Sequence, residues 1–293
     1  MPELPEVETV RRGLEPVLVG SRFQEVEQRR EGLRFPFPKQ FVRRLVGMEV
    51  TRLERRAKYL LAYLTSGEVL AMHLGMSGRF LIEDRQGASK SDRFANGGGG
   101  DPRHDHVIFR MSNGAVIRYN DARRFGFMTL ASGATLDQHK LFRGLGVEPL
   151  SEAFTPEYLN SAARNKSQSL KSFLMDQKII AGLGNIYVCE SLYQAGLSPR
   201  RKASTLATAS GRPGKRVPKL VSAIVSVLEN AVRAGGSTLR DHRQTDGSLG
   251  YFQHCFAVYG RAGLACQKKA CQGTVQRIVQ NGRSTFFCPR CQK

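Results

Sequence analysis

Tyr59-Leu60-Leu61-Ala62-Tyr63-Leu64, then Thr65-Ser66-Gly67, then Glu68-Val69-Leu70-Ala71-Met72-His73-Leu74 is a pair of short apolar runs flanking a three-residue break. Such runs are too short for a buried helix and suit strands, and the break is made of turn-forming residues. His106 to Met111 and Ala115 to Tyr119 repeat the pattern with Ser, Asn and Gly between them. The first half of the chain is therefore expected to form a β-core of the sandwich or barrel kind. Ahead of it, Leu4, Val7, Val10, Leu14, Val17 and Leu18 step at three and four, the period of a helix burying one face. Pro2 and Pro5 sit where the start of a helix tolerates proline.

After Pro149 the pattern becomes helical, over Phe154 to Ala163, Leu170 to Lys178, Ile186 to Ala195 and Pro218 to Ala234. The boundary falls near residues 130–152. Asp84 to Asp105, containing Asn96-Gly97-Gly98-Gly99-Gly100, is too polar and glycine-rich to bury anything and reads as a mobile loop. Ala203 to Lys215 and Gly235 to Gly250 read as two more loops. No internal repeat is apparent, which argues against a solenoid.

The 293 residues carry 45 Lys+Arg against 25 Asp+Glu, a formal charge of +20. The cations outnumber the acids by 24 to 18 over residues 1–149, 12 to 5 over 150–236 and 9 to 2 over 237–293, so the excess is no detachable tail. A surface basic along the whole chain fits a long polyanion such as nucleic acid, because binding releases condensed counterions. A generally basic, solubilising surface satisfies the same arithmetic. A hydrophobic fraction of 41% suffices for packed cores. The opening Met1-Pro2-Glu3-Leu4-Pro5-Glu6 has no basic and apolar signal pattern, and no apolar run approaches the ~18 residues of a membrane span. A cytoplasmic protein without a membrane partner is expected.

Four of the six cysteines form the series Cys266-x4-Cys271-x16-Cys288-x2-Cys291, two close pairs separated by enough chain for a hairpin. Four thiolates so spaced suit one tetrahedral zinc ion, and a closed sulfur shell leaves no position for a reacting water. The zinc is expected to fold the tail rather than to do chemistry. Zinc nucleobase deaminases also need His-x-Glu, and none of the six histidines has Glu two residues later. Between the pairs, Asn281-Gly282 signals a tight turn that presents Arg283 at the tip of a ribbon. Arg277 and Arg290 read as solvated surface charge.

A small second residue such as Pro2 permits removal of Met1, which exposes a secondary amine. With an ordinary α-amino pKa of about 7.7–8.0, a useful fraction of such an amine is unprotonated near neutrality and nucleophilic. Glu3 and Glu6 lie three apart beside it, placed to move protons. Equally, acids in a first helical turn simply complement the macrodipole.

Met1-Pro2-Glu3-Leu4-Pro5-Glu6-Val7-Glu8-Thr9-Val10, Arg56-Ala57-Lys58-Tyr59-Leu60-Leu61, His73-Leu74-Gly75-Met76-Ser77-Gly78, Arg123-Arg124-Phe125-Gly126, Gly182-Leu183-Gly184-Asn185-Ile186-Tyr187 and the cysteine tail occur in this order along the chain. The series closely resembles bacterial formamidopyrimidine-DNA glycosylases. The related endonuclease-eight-like enzymes, which prefer damaged pyrimidines, usually have Gly where this chain has Leu4. The resemblance implies an α+β fold: an N-terminal β-sandwich domain with a leading helix (1–135), a helical domain with a helix-two-turn-helix element (136–236), and a loop with a four-cysteine zinc hairpin (237–293). It implies a monomer acting on damaged double-stranded DNA, a bifunctional glycosylase and abasic-site lyase that removes 8-oxoguanine and ring-opened purines.

In that family Pro2 resembles the nucleophile, Glu3 the acid assisting sugar-ring opening, and Glu6 a partner in proton transfer. Lys58 resembles the lysine of β-elimination and Arg283 the residue of δ-elimination and phosphate binding. His73, His104, Lys166 and Asn185 resemble DNA-backbone contacts. Met76, Arg123 and Phe125 resemble the side chains that fill the hole left by an extruded nucleotide. Without the resemblance, His73, Met76 and Phe125 would read as core packing. Three features depart from the family's pattern: x4 rather than x2 in the first cysteine pair, Ala122 where Pro is common, which is expected to loosen the turn, and the glycine run at 96–100. The rivals are a damaged-pyrimidine glycosylase and a non-catalytic zinc-ribbon DNA-binding protein.

Overall fold

The structure is a computed structural model and describes residues 2–83, 101–208, 210–237 and 252–293. Residues 84–100 of the loop read from Asp84, which include the glycine run at 96–100, and residues 238–250 of the third loop lie outside the described residues. The chain divides into two compact units, Met1–Arg143 with Ala234–Gln253, and Gly144–Arg233 with His254–Lys293. The short stretch after the last long helix thus counts with the β unit, which the sequence pattern does not reveal.

The first unit opens with helix α1 (Leu4–Leu18), followed by β1 (Phe23–Gln28), a short helix α2 (Phe41–Leu45), β2 (Val50–Arg56), β3 (Tyr59–Leu64), β4 (Glu68–His73), β5 (Arg79–Glu83), β6 (Asp105–Met111), β7 (Val116–Asn120) and β8 (Phe127–Ser132). The strands form two antiparallel four-stranded sheets, ordered β1-β6-β7-β5 and β2-β3-β4-β8. Alternate residues from both sheets, among them Val107, Phe109, Ile117 and Phe80 from one and Leu60, Ala62, Leu70 and Met72 from the other, share one core, as in a sandwich. Val7, Val10, Leu14 and Leu18 of α1 join it, so the three-and-four stepping is the helix's buried stripe. Each such aliphatic side chain contributes roughly 1.5–3 kcal/mol by leaving water.

Strands β1 and β2 follow a different rule from the runs that announced the sheet. In each, a register shift near the start separates the two well-buried residues by three positions, Phe23 from Val26 and Val50 from Leu53. A bulge thus erases the two-residue alternation by which a half-buried strand is recognised.

The second unit comprises α3 (Pro156–Ala162), α4 (Leu170–Met175), α5 (Asn185–Ala195), α6 (Arg216–Arg233) and the antiparallel hairpin β9 (Gln276–Gln280) and β10 (Arg283–Phe287). Its interior includes Leu159, Phe173, Leu183, Tyr187, Leu192, Leu220, Ile224 and Leu228. Helix α4 stops at Met175 rather than Lys178, and α6 begins two residues before Pro218, which occupies its first turn as proline can. Between α4 and α5 the Gln177 side chain braces the glycine turn, accepting from Gly182 N–H (2.9 Å) and donating to the carbonyls of Leu183 (2.8 Å) and Met175 (3.0 Å).

Candidate functional site

The N-terminal turn is built on two buried acids. Glu3 is the N-cap of α1 and Glu6 occupies its third position, and the two form a reciprocal capping box in which Glu3 N–H donates to Glu6 Oε2 (2.8 Å). The other Glu6 oxygen accepts from the backbone N–H (2.8 Å) and hydroxyl (2.9 Å) of Ser237. Gly236, at φ +78°, brings this clamp close enough that a Cβ there would lie 3.2 Å from the Glu6 side chain. Pro2 is buried just ahead of Glu3. The acids cap the helix, and the cap fixes two carboxyl groups next to Pro2. Ser237 was not foreseen, because a contact 231 residues away leaves no local pattern.

Lys58 sits on the two-residue connection between β2 and β3, only 8% exposed. Ala57 takes φ +53° there, a conformation that suits the twist of a tight hairpin and costs a residue with a Cβ about 1–2 kcal/mol. One strand over, the pairings Tyr59↔His73 and His73↔Phe127 align three rings across the sheet. His73 stacks on Phe127 at 5.3 Å and 11°, and its Nδ1 accepts the Gly75 N–H (3.0 Å), which assigns the ring proton to Nε2. Burial first, then the charges of Lys58 and Arg34, push its pKa down to about 4. Near neutrality His73 is an uncharged donor beside the Lys58 ammonium.

Two turns carry the apolar and cationic tips. Met76 lies half-buried between β4 and β5, while Arg123 and Phe125 lie in the exposed loop before β8. Phe125 is 47% exposed, which removes core packing as its role, and the Arg123 guanidinium stands 4.9 Å from its ring centre. Beneath them the buried Asp121 carboxylate accepts from the Ser77 hydroxyl (2.5 Å), the Gly126 N–H (2.8 Å) and the Tyr119 hydroxyl (3.4 Å). The Ser77 oxygen in turn accepts the Arg123 N–H (3.0 Å). Ala122, where Pro was the family's common residue, is exposed, and the carboxylate next to it ties both turns together. His104, half-buried in a short 3₁₀ turn, joins them by accepting the Asp121 N–H through its carbonyl (3.0 Å).

Glycine is required at the crossing of the two turns. A Cβ on Gly126 would lie 1.7 Å from the hydroxyl of the fully buried Tyr119 and 2.7 Å from the His73 backbone carbonyl. Gly126→Ala is expected to lower the unfolding free energy by roughly 2–4 kcal/mol, read from denaturant midpoints, with Phe125 displaced.

Sequence reasoning also missed Arg34 and Phe35. Phe35 is 50% exposed, packs edge-on against Phe127 at 5.2 Å, and carries the Arg34 guanidinium 5.4 Å from its ring centre. Arg34 N–H donates to the Gly126 carbonyl (3.1 Å), so a second cation–aromatic pair stands beside the first. The run Leu33-Arg34-Phe35-Pro36-Phe37 held the signal, an arginine between apolar residues ahead of a proline.

In the second unit, Lys166 is exposed just after α3, and Asn185 begins α5. Arg283 is exposed beside the turn Asn281-Gly282, whose φ values of +49° and +71° match the tight hairpin read from the sequence. The hairpin is gripped from behind, where Asn185 Nδ2 donates to the Ser284 carbonyl (3.0 Å). The buried Lys171 donates to the same carbonyl (3.2 Å) and to the Thr285 hydroxyl (2.6 Å). Lys171 escaped sequence reasoning because it is one lysine in a helical run.

The four clustered cysteines bring their sulfurs within 4.8 Å of one another, with Cys266–Cys291 at 3.8 Å and Cys271–Cys288 at 3.6 Å. A tetrahedron with Zn–S bonds of ~2.3 Å has edges of ~3.8 Å, so the donor set fits zinc and closes its shell. The x4 knuckle accommodates Lys268, whose ammonium folds back to the Tyr193 carbonyl (2.8 Å) and over the Tyr193 ring (4.8 Å). Gly273 lets the chain pass the metal ligands, since a Cβ there would lie 2.8 Å from Cys288 Sγ. Helix α5 supports the approach to the ribbon through Glu190, which accepts the N–H groups of Ala257 (2.9 Å), Val258 (3.1 Å) and Tyr259 (2.8 Å). Burial pushes the Glu190 carboxyl upward while those three donors pull it back. Cys189 is sealed in the core beneath, whereas Cys255 is exposed.

Three family models match the chain: the formamidopyrimidine-DNA glycosylase N-terminal domain over residues 1–128, the H2TH domain of the same enzymes over 145–243, and a zinc finger found in FPG and IleRS over 263–293. The formamidopyrimidine-DNA glycosylases of Rhodopseudomonas palustris strain BisB18 and Bradyrhizobium diazoefficiens are 55% and 56% identical to it over 293 residues, covering 100% of each chain. Among solved structures, the MutM (Fpg) protein from Thermus thermophilus superposes with a TM-score of 0.82 at 37% identity, covering 99% of this chain and 98% of that one. Lactococcus lactis Fpg in complex with abasic-site DNA gives 0.81 at 31% identity, covering 99% of both. With its β-sandwich, glycine-turn helices and four-cysteine zinc finger each matched in order, the chain belongs to the formamidopyrimidine-DNA glycosylase family, and its cysteines hold one structural zinc ion.

Proposed function

We propose that the protein is a monomeric, cytoplasmic glycosylase and abasic-site lyase of base-excision repair, removing 8-oxoguanine and formamidopyrimidines from duplex DNA. The observation that carries this reading is the capped N-terminus, where Glu3 and the doubly clamped Glu6 stand immediately after a buried Pro2. Once Met1 is removed, the Pro2 nitrogen attacks the anomeric carbon of the extruded nucleotide and the base departs with the electrons of the glycosidic bond. Glu3 donates a proton to the ring oxygen as the sugar opens, leaving an iminium link to Pro2. Glu6 keeps the turn in register and relays protons. The iminium acidifies the adjacent sugar carbon, so β- and then δ-elimination release the phosphates, with Lys58 assisting the first and Arg283 the second.

The duplex contacts in this reading are divided among the remaining site residues. Lys58 supplies charge and His73 a neutral Nε2–H to the phosphates near the lesion, while His104, Lys166 and Asn185 fix register on the backbone. Phe125 wedges the stack, Met76 fills the vacated space and Arg123 addresses the orphaned base. The solved relatives bound to abasic-site DNA support DNA as the partner. Among the described residues no helix is long and apolar enough to cross a membrane.

Borohydride trapping tests the reading on duplexes carrying 8-oxoguanine opposite cytosine, an oxidised pyrimidine, or no damage. An adduct mapped to Pro2 and favouring the purine lesion is expected. Preference for the pyrimidine would move the enzyme to the sister branch, and no adduct from protein with a free N-terminus and bound zinc would leave a DNA-binding protein only.

The state of His73 gives a separate prediction. Its folded pKa of about 4 lies below the ordinary 6.5, so the unfolded chain binds more protons between these values and stability falls as pH drops through that window. His73→Asn is expected to flatten this acid limb by up to roughly 3 kcal/mol, measured as unfolding free energy at pH 7 and pH 4. Because the ring is neutral near pH 7, the same substitution should leave the salt dependence of DNA binding unchanged.

A further inference from the structure

We infer that the second unit carries an additional basic face, formed by Arg200, Arg201, Lys202, Lys215, Arg216 and Lys219, that binds the phosphate backbone of the duplex flanking the lesion. The inference rests on the proposed function and extends its footprint. From Ser191 to Leu228 the chain has seven Lys and Arg and no acid at all. Five of the six named residues are exposed and Arg201 is half-buried. Among the described residues no ion pair involves these six.

Folding does not reward this arrangement. Lys215, Arg216 and Lys219 cluster at the start of α6, whose first turn has no acidic residue. Cations there oppose the helix dipole. Repulsion from Arg216, added to burial, lowers the Arg201 pKa, so the two halves of the face lie within electrostatic reach. Like charges held together at a cost to the fold are explained by an anion that neutralises them.

Continuity with the lesion-binding elements selects the anion. The segment bearing Arg200 to Lys202 lies alongside the one bearing Lys166, through Ser204 N–H to the Lys166 carbonyl (2.9 Å), Ala203 N–H to Gln168 (2.9 Å) and Leu170 N–H to Arg201 (2.6 Å). On its other side Gln280, three residues before Arg283, donates to the Pro199 carbonyl (3.3 Å). The face thus runs between Lys166 and the zinc hairpin, both assigned to the backbone above. A polyanion already held at those points is the partner that reaches it.

The test compares wild type with the variant Arg200→Gln, Lys202→Gln, Lys215→Gln, Lys219→Gln on tetrahydrofuran-containing duplexes of about 12 and about 30 base pairs, across 50–200 mM salt. Wild type is expected to bind the longer duplex more tightly and with a steeper salt dependence. The variant should lose that difference, binding the long duplex roughly tenfold more weakly at the upper salt limit, with a slope reduced by ~0.9 per lost phosphate contact. Its affinity for the short duplex should match wild type, which also checks that it folds. Unchanged slopes on both lengths would overturn the inference and leave the face to an acidic protein. Equal losses on both lengths would overturn it too, by placing these residues at the lesion. Wild type that neither traps on nor prefers damaged DNA would instead bring down the proposed function, a result separable from both.

Discussion

Pro2→Gly protein is expected to release 8-oxoguanine at least ~10²-fold more slowly than wild type in single turnovers while still binding a tetrahydrofuran duplex. Glycine retains a free amine once Met1 is removed, so the loss comes from geometry and basicity rather than from the absence of a nucleophile. The proline ring makes a secondary amine that condenses to an iminium already carrying positive charge, and it restricts the nitrogen's approach. Glycine gives a primary amine on a freely rotating backbone, and displacement of a reacting atom by ~1 Å suffices for a loss of this size. The surrounding frame should persist, because Glu6 remains clamped by Ser237 and the capping box does not use the Pro2 side chain. The check is the rate of borohydride adduct formation beside the rate of base release. If protein with a blocked amine, through retained Met1 or acetylation, still trapped at the wild-type rate, Pro2 would not be the nucleophile.

The second large effect is expected at Cys288, whose side chain is fully buried among the sulfur ligands. Cys288→Ser should take the zinc content from one per chain to none and weaken damaged-duplex binding on the order of a hundredfold. Structural zinc in small modules supplies apparent binding energies of ~10–16 kcal/mol that are also folding energy. The residues around the ribbon show where that energy goes: Cys288 N–H donates to Gln292 Oε1 (2.8 Å), and Gln292 Nε2 to the Leu197 carbonyl (2.9 Å). Losing the metal therefore loosens the ribbon's anchoring to the segment after α5. Chelation of wild type should reproduce the effect, and re-addition of zinc should reverse it. Normal affinity in metal-free Cys288→Ser protein would remove the folding role from zinc.

Much of this site was legible in one dimension because its parts are local. The zinc ligands come in two close pairs, the Asn281-Gly282 turn needs positive φ at successive residues, and α1 announces its buried face within eighteen residues. Strands β3, β4, β6 and β7 showed because they are apolar runs bounded by turn residues. Strands β1 and β2 did not, because a bulge in each spaces the buried residues like a helix and most of the remaining positions face water. Phe125 illustrates the limit differently: its identity fits core and wedge equally, and only its exposure excludes the core.

What the amino-acid sequence determined alone was the chemistry on offer: a second-residue proline with two acids behind it, a four-thiolate metal site, an excess of cations in every part of the chain, and motifs in the family's order. What only the tertiary structure decided was which of these groups are held and by whom. Ser237 locks Glu6, Asp121 ties the Met76 turn to the Phe125 loop, and Lys171 with Asn185 seats the hairpin bearing Arg283. The physical reason is range. Capping, turn conformation and metal-ligand spacing act within a few residues and leave a periodic trace, whereas a buried polar group needs a partner that the chain can supply from any distance along its length.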